Sequence, residues 1–229
     1  MADIILSSGY LGFARHIGFL KALEEQEIAV DAICGTSSGA IVGALYCSGY
    51  SLNEISNLIS EIPPIKLVKF NPKFWRGFFS LQPFITYLSS KIPKNFNGLK
   101  IPLAVGVCSY GKREYKLISS GELIPAVVAS GAVPKLFTPI TINNEKYIDA
   151  AVVDRLGLKH WQQYRPNTEM IIHNIESSQK KLTLDKQQEI RHKMVKTPRT
   201  KASLRGLKYF DQEVEEAYQL VLRQLQSES

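Results

Sequence analysis

The chain has 229 residues, 45% of them hydrophobic, with 28 Lys and Arg against 21 Asp and Glu for a formal net charge of +7. That length supports one sizeable core and lies in the range of a single domain, so one globular domain over 1–229 is expected. No apolar run approaches the roughly 20 residues that span a bilayer, and Met1-Ala2-Asp3-Ile4-Ile5 lacks the charged region and cleavage site of a leader, which predicts a cytoplasmic protein, peripheral at a membrane at most. Cys34, Cys47 and Cys108 lie in apolar surroundings without metal-ligand spacing and read as reduced core residues. His16, His160, His173 and His192 are scattered, so no metal and no cofactor is expected.

Ile4 to Ser8 reads as a buried strand, and Ala14 to Leu23 as a helix with Ile17, Leu20 and Leu23 at helical spacing. Val30 to Cys34 is a second strand, and Ala40 to Leu45 opens a second helix. Ser51-Leu52-Asn53-Glu54 has the Ser-x-x-Glu form of a capping box, predicting a helix through Ile55, Leu58 and Ile59 that Pro63-Pro64 stops. Ile101 to Val107 and Glu114 to Ser119 read as strands joined through Ser109-Tyr110-Gly111-Lys112, and Glu122 to Ala129 as a helix. Ile140-Thr141-Ile142 and Lys146-Tyr147-Ile148 flank Asn143-Asn144, a hairpin turn because Asn tolerates left-handed dihedrals, and Asp149 follows the second of these strands. Met170 to His173 reads as a buried strand, and Gln212 to Leu225 as a helix built on Val214, Ala217, Leu220, Val221 and Leu225. The one section that reads as flexible surrounds Thr197-Pro198-Arg199-Thr200-Lys201.

Between the second strand and its helix stands Gly35-Thr36-Ser37-Ser38-Gly39. A serine on a sharp strand-to-helix turn has the form of a nucleophile elbow, where small neighbours let a substrate carbonyl approach Oγ and the helix dipole favours an oxyanion. The competing reading is an ordinary glycine-bounded turn. Only one strand-helix unit precedes the elbow, which argues against an α/β-hydrolase and for another α/β layout with the same turn chemistry. Acyl transfer by serine also needs a proton acceptor and donors for an oxyanion. Asp149 at a strand end is a candidate acceptor, although an aspartate there also caps a strand; the loop Ser7-Ser8-Gly9-Tyr10-Leu11-Gly12 is a candidate donor. A Ser-His-Asp triad using His160 or His173 and a transacylase with a histidine base are alternatives that the early elbow opposes. Asp154 reads as a turn cap and His16 as a packed helix residue.

Four runs in order resemble the patatin-like phospholipases: Ser7-Ser8-Gly9-Tyr10-Leu11-Gly12 leading to His16-Ile17-Gly18, the elbow Gly35 to Gly39, Ala129-Ser130-Gly131-Ala132-Val133-Pro134-Lys135-Leu136-Phe137-Thr138-Pro139, and Asp149-Ala150-Ala151-Val152-Val153-Asp154. They fall within residues 3–158. The resemblance implies an α/β, three-layer sandwich with a central, mainly parallel sheet and helices on both faces. It also implies hydrolysis of carboxylic esters of lipids through an acyl-enzyme, with Ser37 as nucleophile, Asp149 as base, and the amides of Gly9, Tyr10 and Ser38 as the oxyanion hole. Two departures stand out: Ser7 occupies the first glycine position of the loop, and Ala150-Ala151 follows the aspartate where the family has Gly-Gly or Gly-Ala. An alanine forced into a left-handed conformation there costs roughly 1 kcal/mol. These departures motivate the alternative of a patatin-like domain that binds lipid or a protein partner and hydrolyses poorly.

Two surface features bear on partners. Residues 65 to 79 interleave four cations with five aromatics, a mixture suited to a bilayer interface, which predicts a lid or peripheral membrane contact; the competing reading packs these aromatics inward. From Lys180 to Lys208 ten Lys and Arg face only Asp185 and Glu189, and lipid headgroups, nucleic acid and plain solvation compete to explain them. Without a readable binding fold, nucleic acid is not an expected partner, whereas a lipid substrate is. The oligomeric state is left open.

Overall fold

The computed structural model describes residues 1–73, 75, 77–177 and 192–227. Its first four elements follow the expected alternation: β1 (Ala2–Leu6), α1 (Phe13–Glu25), β2 (Val30–Thr36) and α2 (Ser38–Cys47). The capping box forms as read. Ser51 Oγ accepts from the Glu54 amide, the Glu54 carboxylate accepts from the Ser51 amide, and α3 (Leu52–Ser60) follows. Short strands β3 (Lys69–Phe70) and β4 (Phe79–Ser80) pair in a separate ribbon, followed by α4 (Gln82–Ser89). Then come β5 (Leu103–Ser109), β6 (Tyr115–Ile118), α5 (Leu123–Ser130), β7 (Ile140–Ile142) and β8 (Glu145–Asp149). The Asn143-Asn144 turn between β7 and β8 has both residues at positive φ, 49° and 63°, the geometry that a two-residue hairpin loop requires. The last described elements are α6 (Leu158–Tyr164), β9 (Met170–Ile175), β10 (His192–Thr197) and a long helix, α7 (Phe210–Gln226).

The main sheet runs β10-β9-β1-β2-β5-β8-β7, with β6 pairing β5. The first five strands of that order are mutually parallel; β6 and β8 each pair antiparallel with β5, and β7 pairs antiparallel with β8. Alternation along each strand divides the core between the two faces, as the period of two requires. Ile4, Leu6, Ile33, Leu103 and Val105 enter one hydrophobic cluster, and Ile5, Ala32, Cys34, Ala104 and Ile172 enter the other. Helices cover the faces unequally. The first cluster takes residues from α1 to α5 and α7, whereas α6 with Leu158 and Trp161 serves the second. The sheet is therefore largely parallel with helices on both faces, as expected.

The section read as flexible, around 197–201, has no regular structure from Pro198 onward but is tethered at both ends. His192–Thr197 is a strand paired in parallel with β9, and just beyond it Glu213 on α7 accepts from the Thr200 hydroxyl and from the Lys201 amide. Backbone pairing and one buried carboxylate override a loop-like composition there. Of the basic stretch, residues 180–191 lie outside the described residues. α4 and α6 were not foreseen either; both are short and their apolar spacing is weak over so few turns.

Helix α7 packs along α1. Buried Arg15 on α1 donates to the Glu213 carbonyl at 3.2 Å and to Glu216 Oε2 at 3.1 Å, and pairs with Glu213 Oε1 at 3.4 Å. The close approach occurs at Gly18, where a Cβ would lie 2.3 Å from the Val214 carbonyl oxygen and 2.7 Å from Ala217 Cβ. Gly18→Leu overpacks this contact and is expected to lower the unfolding free energy by about 2 kcal/mol, measured by urea titration.

Candidate active site

Ser37 occupies the turn from β2 into α2 with φ 56° and ψ −118°, a conformation that costs an L-residue of the order of 1–3 kcal/mol and persists only where the surroundings impose it. Here they do. A Cβ on Gly39 would lie 2.4 Å from the Leu6 carbonyl oxygen, and one on Gly35 would lie 2.6 Å from the Gly39 carbonyl oxygen, so α2 starts hard against β1 and β2. The Ser37 amide donates to Ser130 Oγ at 2.7 Å, and that hydroxyl donates to the Gly106 carbonyl at 2.6 Å. Ser130 thus locks the elbow from the end of α5.

Asp149 reaches Ser37 through the sheet. β5 pairs with β2 up to Thr36↔Gly106, and its next residue, Val107, pairs with Asp149 on β8. Because β6 fills the other edge of β5 over Val105–Cys108, β2 and β8 share one edge and their ends meet. The Asp149 amide donates to the Ala132 carbonyl at 3.0 Å, so the same turn that holds Ser37 through Ser130 also holds Asp149. Burial pushes the Asp149 carboxyl up to about 6; the Ala151 amide, the neighbouring Ser37 side chain and the Arg155 charge act in the opposite direction. Neither Ala150 nor Ala151 has positive φ, so the strain expected of alanine after the aspartate does not arise. Asp149 caps the short turn Ala150–Val152.

The loop after β1 is fastened on three sides. Ser7 Oγ accepts from the Ile175 amide at 2.9 Å, the Ser7 carbonyl accepts from His16 Nε2 at 3.0 Å, and the Arg155 guanidinium donates to the Ser8 and Ile175 carbonyls. Ser7 does not have positive φ, so serine replaces glycine without strain and adds a tether. The amides of Gly9 and Tyr10 donate to no acceptor among the described residues. Among the described residues Ser38 Oγ is buried without a partner, and it lies near Gly12.

The histidines go elsewhere. His16 Nδ1 and His173 Nδ1 are 2.9 Å apart, and His173 Nε2 meets Thr197 Oγ1 at 2.9 Å. Burial drives His16 down to about 3 and His173 well below its usual value, so both are neutral. With the His16 Nε2 proton given to Ser7, His173 must donate from Nδ1 and accept from Thr197. His160 stacks on Tyr115. Asp154 Oδ1 accepts from the Leu156 and Gly157 amides, a turn cap as read. Among the described residues no group of three His, Cys, Asp or Glu is arranged to hold a metal ion.

Ser37 and Ser38 open onto an apolar cavity of about 120 Å³. Ile41 and Leu45 of α2, Leu58 of α3 and Phe84 of α4 line it, as do Leu204 and Leu207 from the loop before α7. The aromatic-cationic segment divides in two. Leu67 and Val68 line the cavity, while Phe70, Trp75 and Phe78 stand 63%, 69% and 51% exposed; Phe74 and Arg76 lie outside the described residues. Among the described residues no helix is long and apolar enough to cross a membrane.

A family model for patatin-like phospholipases matches residues 4–160. The chain belongs to the patatin-like phospholipase family. This patatin-like chain is 28% identical over 171 residues to a lysophospholipase of Kluyveromyces lactis, an alignment that takes in 70% of the chain and 12% of the relative. It is 40% identical over 58 residues to the neuropathy target esterase of Drosophila melanogaster, 25% of the chain and 4% of that protein. The chain thus spans a small part of the length of these curated relatives. Among solved structures, VipD from Legionella pneumophila superposes with a TM-score of 0.63 at 13% identity over 99% of this chain and 67% of VipD. ExoU, in its complex with SpcU from Pseudomonas aeruginosa, gives 0.57 at 15% identity over 99% of this chain and 52% of ExoU. These two likenesses concern the fold.

Ser130 and Arg155 are the site residues that the sequence reading did not assign. Ser130 lies inside a run that carries the family resemblance, but hydroxyl-to-backbone ties have no periodic signature. Arg155 directly follows the last of those runs.

The Asp149 shift has a consequence for stability. A carboxyl whose folded value is raised stabilises the fold fully below its unfolded value near 4, and that contribution is lost as pH rises through about 6. Asp149→Asn is therefore expected to gain on wild type by up to about 3 kcal/mol between about pH 4 and pH 7, read from urea titrations across that range.

Proposed function

We propose that the chain is a serine lipid acyl hydrolase that cleaves carboxylic ester bonds through a Ser37–Asp149 dyad. The observation that carries this reading is a strained serine on the wall of an apolar cavity, beside a buried carboxyl whose affinity for protons is raised. The lysophospholipase and esterase relatives support the substrate class.

In this mechanism the acyl chain lies in the apolar cavity and the ester carbonyl sits over Ser37. Oγ attacks the carbonyl carbon while Asp149 accepts the hydroxyl proton. The amides of Gly9, Tyr10 and Ser38 receive the oxyanion, and the Ser38 hydroxyl lies beside them as a further donor. The tetrahedral intermediate collapses, and the leaving alkoxide takes the proton from Asp149. Water then attacks the acyl-enzyme, giving its proton to Asp149, and Ser37 recovers its own as the fatty acid leaves. A carboxyl near 6 is ionised at neutral pH yet basic enough to share the proton, so kcat/KM rises as pH passes through about 6.

Access to substrate follows from the aromatic ribbon. Phe70, Trp75 and Phe78 enter the interface beside Lys66, Lys69 and Lys73, while Leu67 and Val68 in the same segment line the acyl cavity. Reversing the charge of Lys66, Lys69 and Lys73 is expected to weaken binding to anionic liposomes severalfold; unchanged sedimentation would remove this docking mode.

The deciding experiment is intact mass after exposure to a fluorophosphonate. Wild type should gain one adduct that Ser37→Ala lacks, and Asp149→Asn should label at least about a hundredfold more slowly. A folded wild type that gains no adduct would instead favour a patatin-like domain that binds lipid or a protein partner.

A further inference from the structure

The apolar cavity beside Ser37 has one wall that the family match does not reach. Most of its lining comes from elements before residue 160, where that match ends, but Leu204 and Leu207 come from beyond it. These two residues sit on a strap, 200–207, that is fastened at three points. At its start, Glu213 accepts from the Thr200 hydroxyl and from the Lys201 amide. At its tip, the amides and carbonyls of Ser203 and Gly206 bond reciprocally at 3.1 Å, closing a two-residue turn at Leu204-Arg205. The third tie runs to another lining segment: the Leu204 carbonyl accepts from the Ile65 amide at 2.9 Å, between lining residues Pro64 and Leu67. The helical wall is pinned as well, because the Tyr87 hydroxyl of α4 donates to the Leu58 carbonyl of α3 at 2.8 Å. A cavity bounded by such ties is not free to widen around a longer guest.

The volume bounds the guest. A single buried water needs about 10–15 Å³ on the same measure and a methylene is of similar size, so about 120 Å³ admits a chain of roughly ten carbons. We propose that the strap sets the acyl-chain length, with Leu204 and Leu207 as specificity-determining residues that favour a medium-length acyl group of about ten carbons over longer ones. The proposal rests on the hydrolase reading above and adds the acyl part of its substrate. A hydrophobic wall discriminates by what it excludes. A chain too long must displace packed side chains or leave its end in water, and each misplaced methylene costs about tenfold or more in kcat/KM. Leu204 suits substitution, because the tie to Ile65 uses its carbonyl and a change of side chain leaves the strap in place.

The test compares kcat/KM for p-nitrophenyl butanoate, decanoate and hexadecanoate in uncharged detergent micelles. Wild type should favour decanoate over hexadecanoate by at least about tenfold. Leu204→Ala, and independently Leu207→Ala, should reduce that preference about tenfold, whereas Leu204→Trp should turn the preference toward butanoate. Arg205→Ala removes an exposed side chain on the same turn that does not line the cavity, and should keep the wild-type profile. The proposal is overturned if wild type cleaves hexadecanoate as well as decanoate, if neither Leu204→Ala nor Leu207→Ala moves the profile, or if Arg205→Ala moves it equally. If wild type cleaves none of these esters, the hydrolase reading has failed. The strap is then decided by calorimetry with sodium decanoate. Saturable binding that Leu204→Trp weakens by at least about tenfold and Arg205→Ala leaves intact upholds the wall, and binding that is absent or indifferent to Leu204→Trp overturns it.

Discussion

The backbone of Ser37 is the constraint on which the rest of the site depends. A serine at positive φ is unfavourable by itself, and it holds because three independent pieces of structure close around it. The start of α2 is pressed against β1 so tightly that Gly39 leaves no room for a side chain, β2 delivers the residue to the end of a buried parallel strand, and Ser130 ties its amide to Gly106 on β5. The reward for this strain is positional. Oγ stands clear of its own helix, beside the helix N-terminus, at the end of the sheet where neighbouring loops converge.

That convergence is a property of the strand order. β1 lies between β9 and β2, so the loop leaving β1 is flanked by the ends of strands that arrive from opposite directions in the sequence. One neighbour supplies the elbow. The other supplies the Ile175 amide that tethers Ser7, and the buried His16–His173 pair stiffens the same corner without carrying charge. The antiparallel half of the sheet adds Asp149 by a different route. β8 takes over the edge of β5 exactly where β2 leaves it, which brings a residue distant in sequence to a single register step from the elbow.

Electrostatics at this corner are balanced between burial and a few nearby donors. Desolvation raises the Asp149 carboxyl, and the Ala151 amide, Ser37 and Arg155 temper the rise without cancelling it. Arg155 has a double part, since the guanidinium that biases Asp149 also clamps the Ser8 and Ile175 carbonyls beside the loop after β1. The C-terminal segment joins the same architecture through Glu213, whose carboxylate fixes the loop that lines the apolar cavity.

Much of this was legible in the residues themselves. The strand-to-helix turn at Ser37, the capping box at Ser51, the Asn143-Asn144 hairpin and the amphipathic C-terminal helix are local patterns, written in side chains within a few positions of one another, and each forms where its pattern stands. Four ordered runs sufficed for the family and its largely parallel sheet. Tertiary structure alone decided the rest. Whether Asp149 meets Ser37 depends on which edge of β5 each strand takes, and whether Ala150-Ala151 is strained depends on dihedrals that a neighbouring cap sets. Strand β10, which the sequence reading did not assign, is formed by its pairing with β9. Ser130, Arg155 and Glu213 act through single hydrogen bonds across long stretches of chain, and contacts of that kind leave no periodicity for a sequence to display.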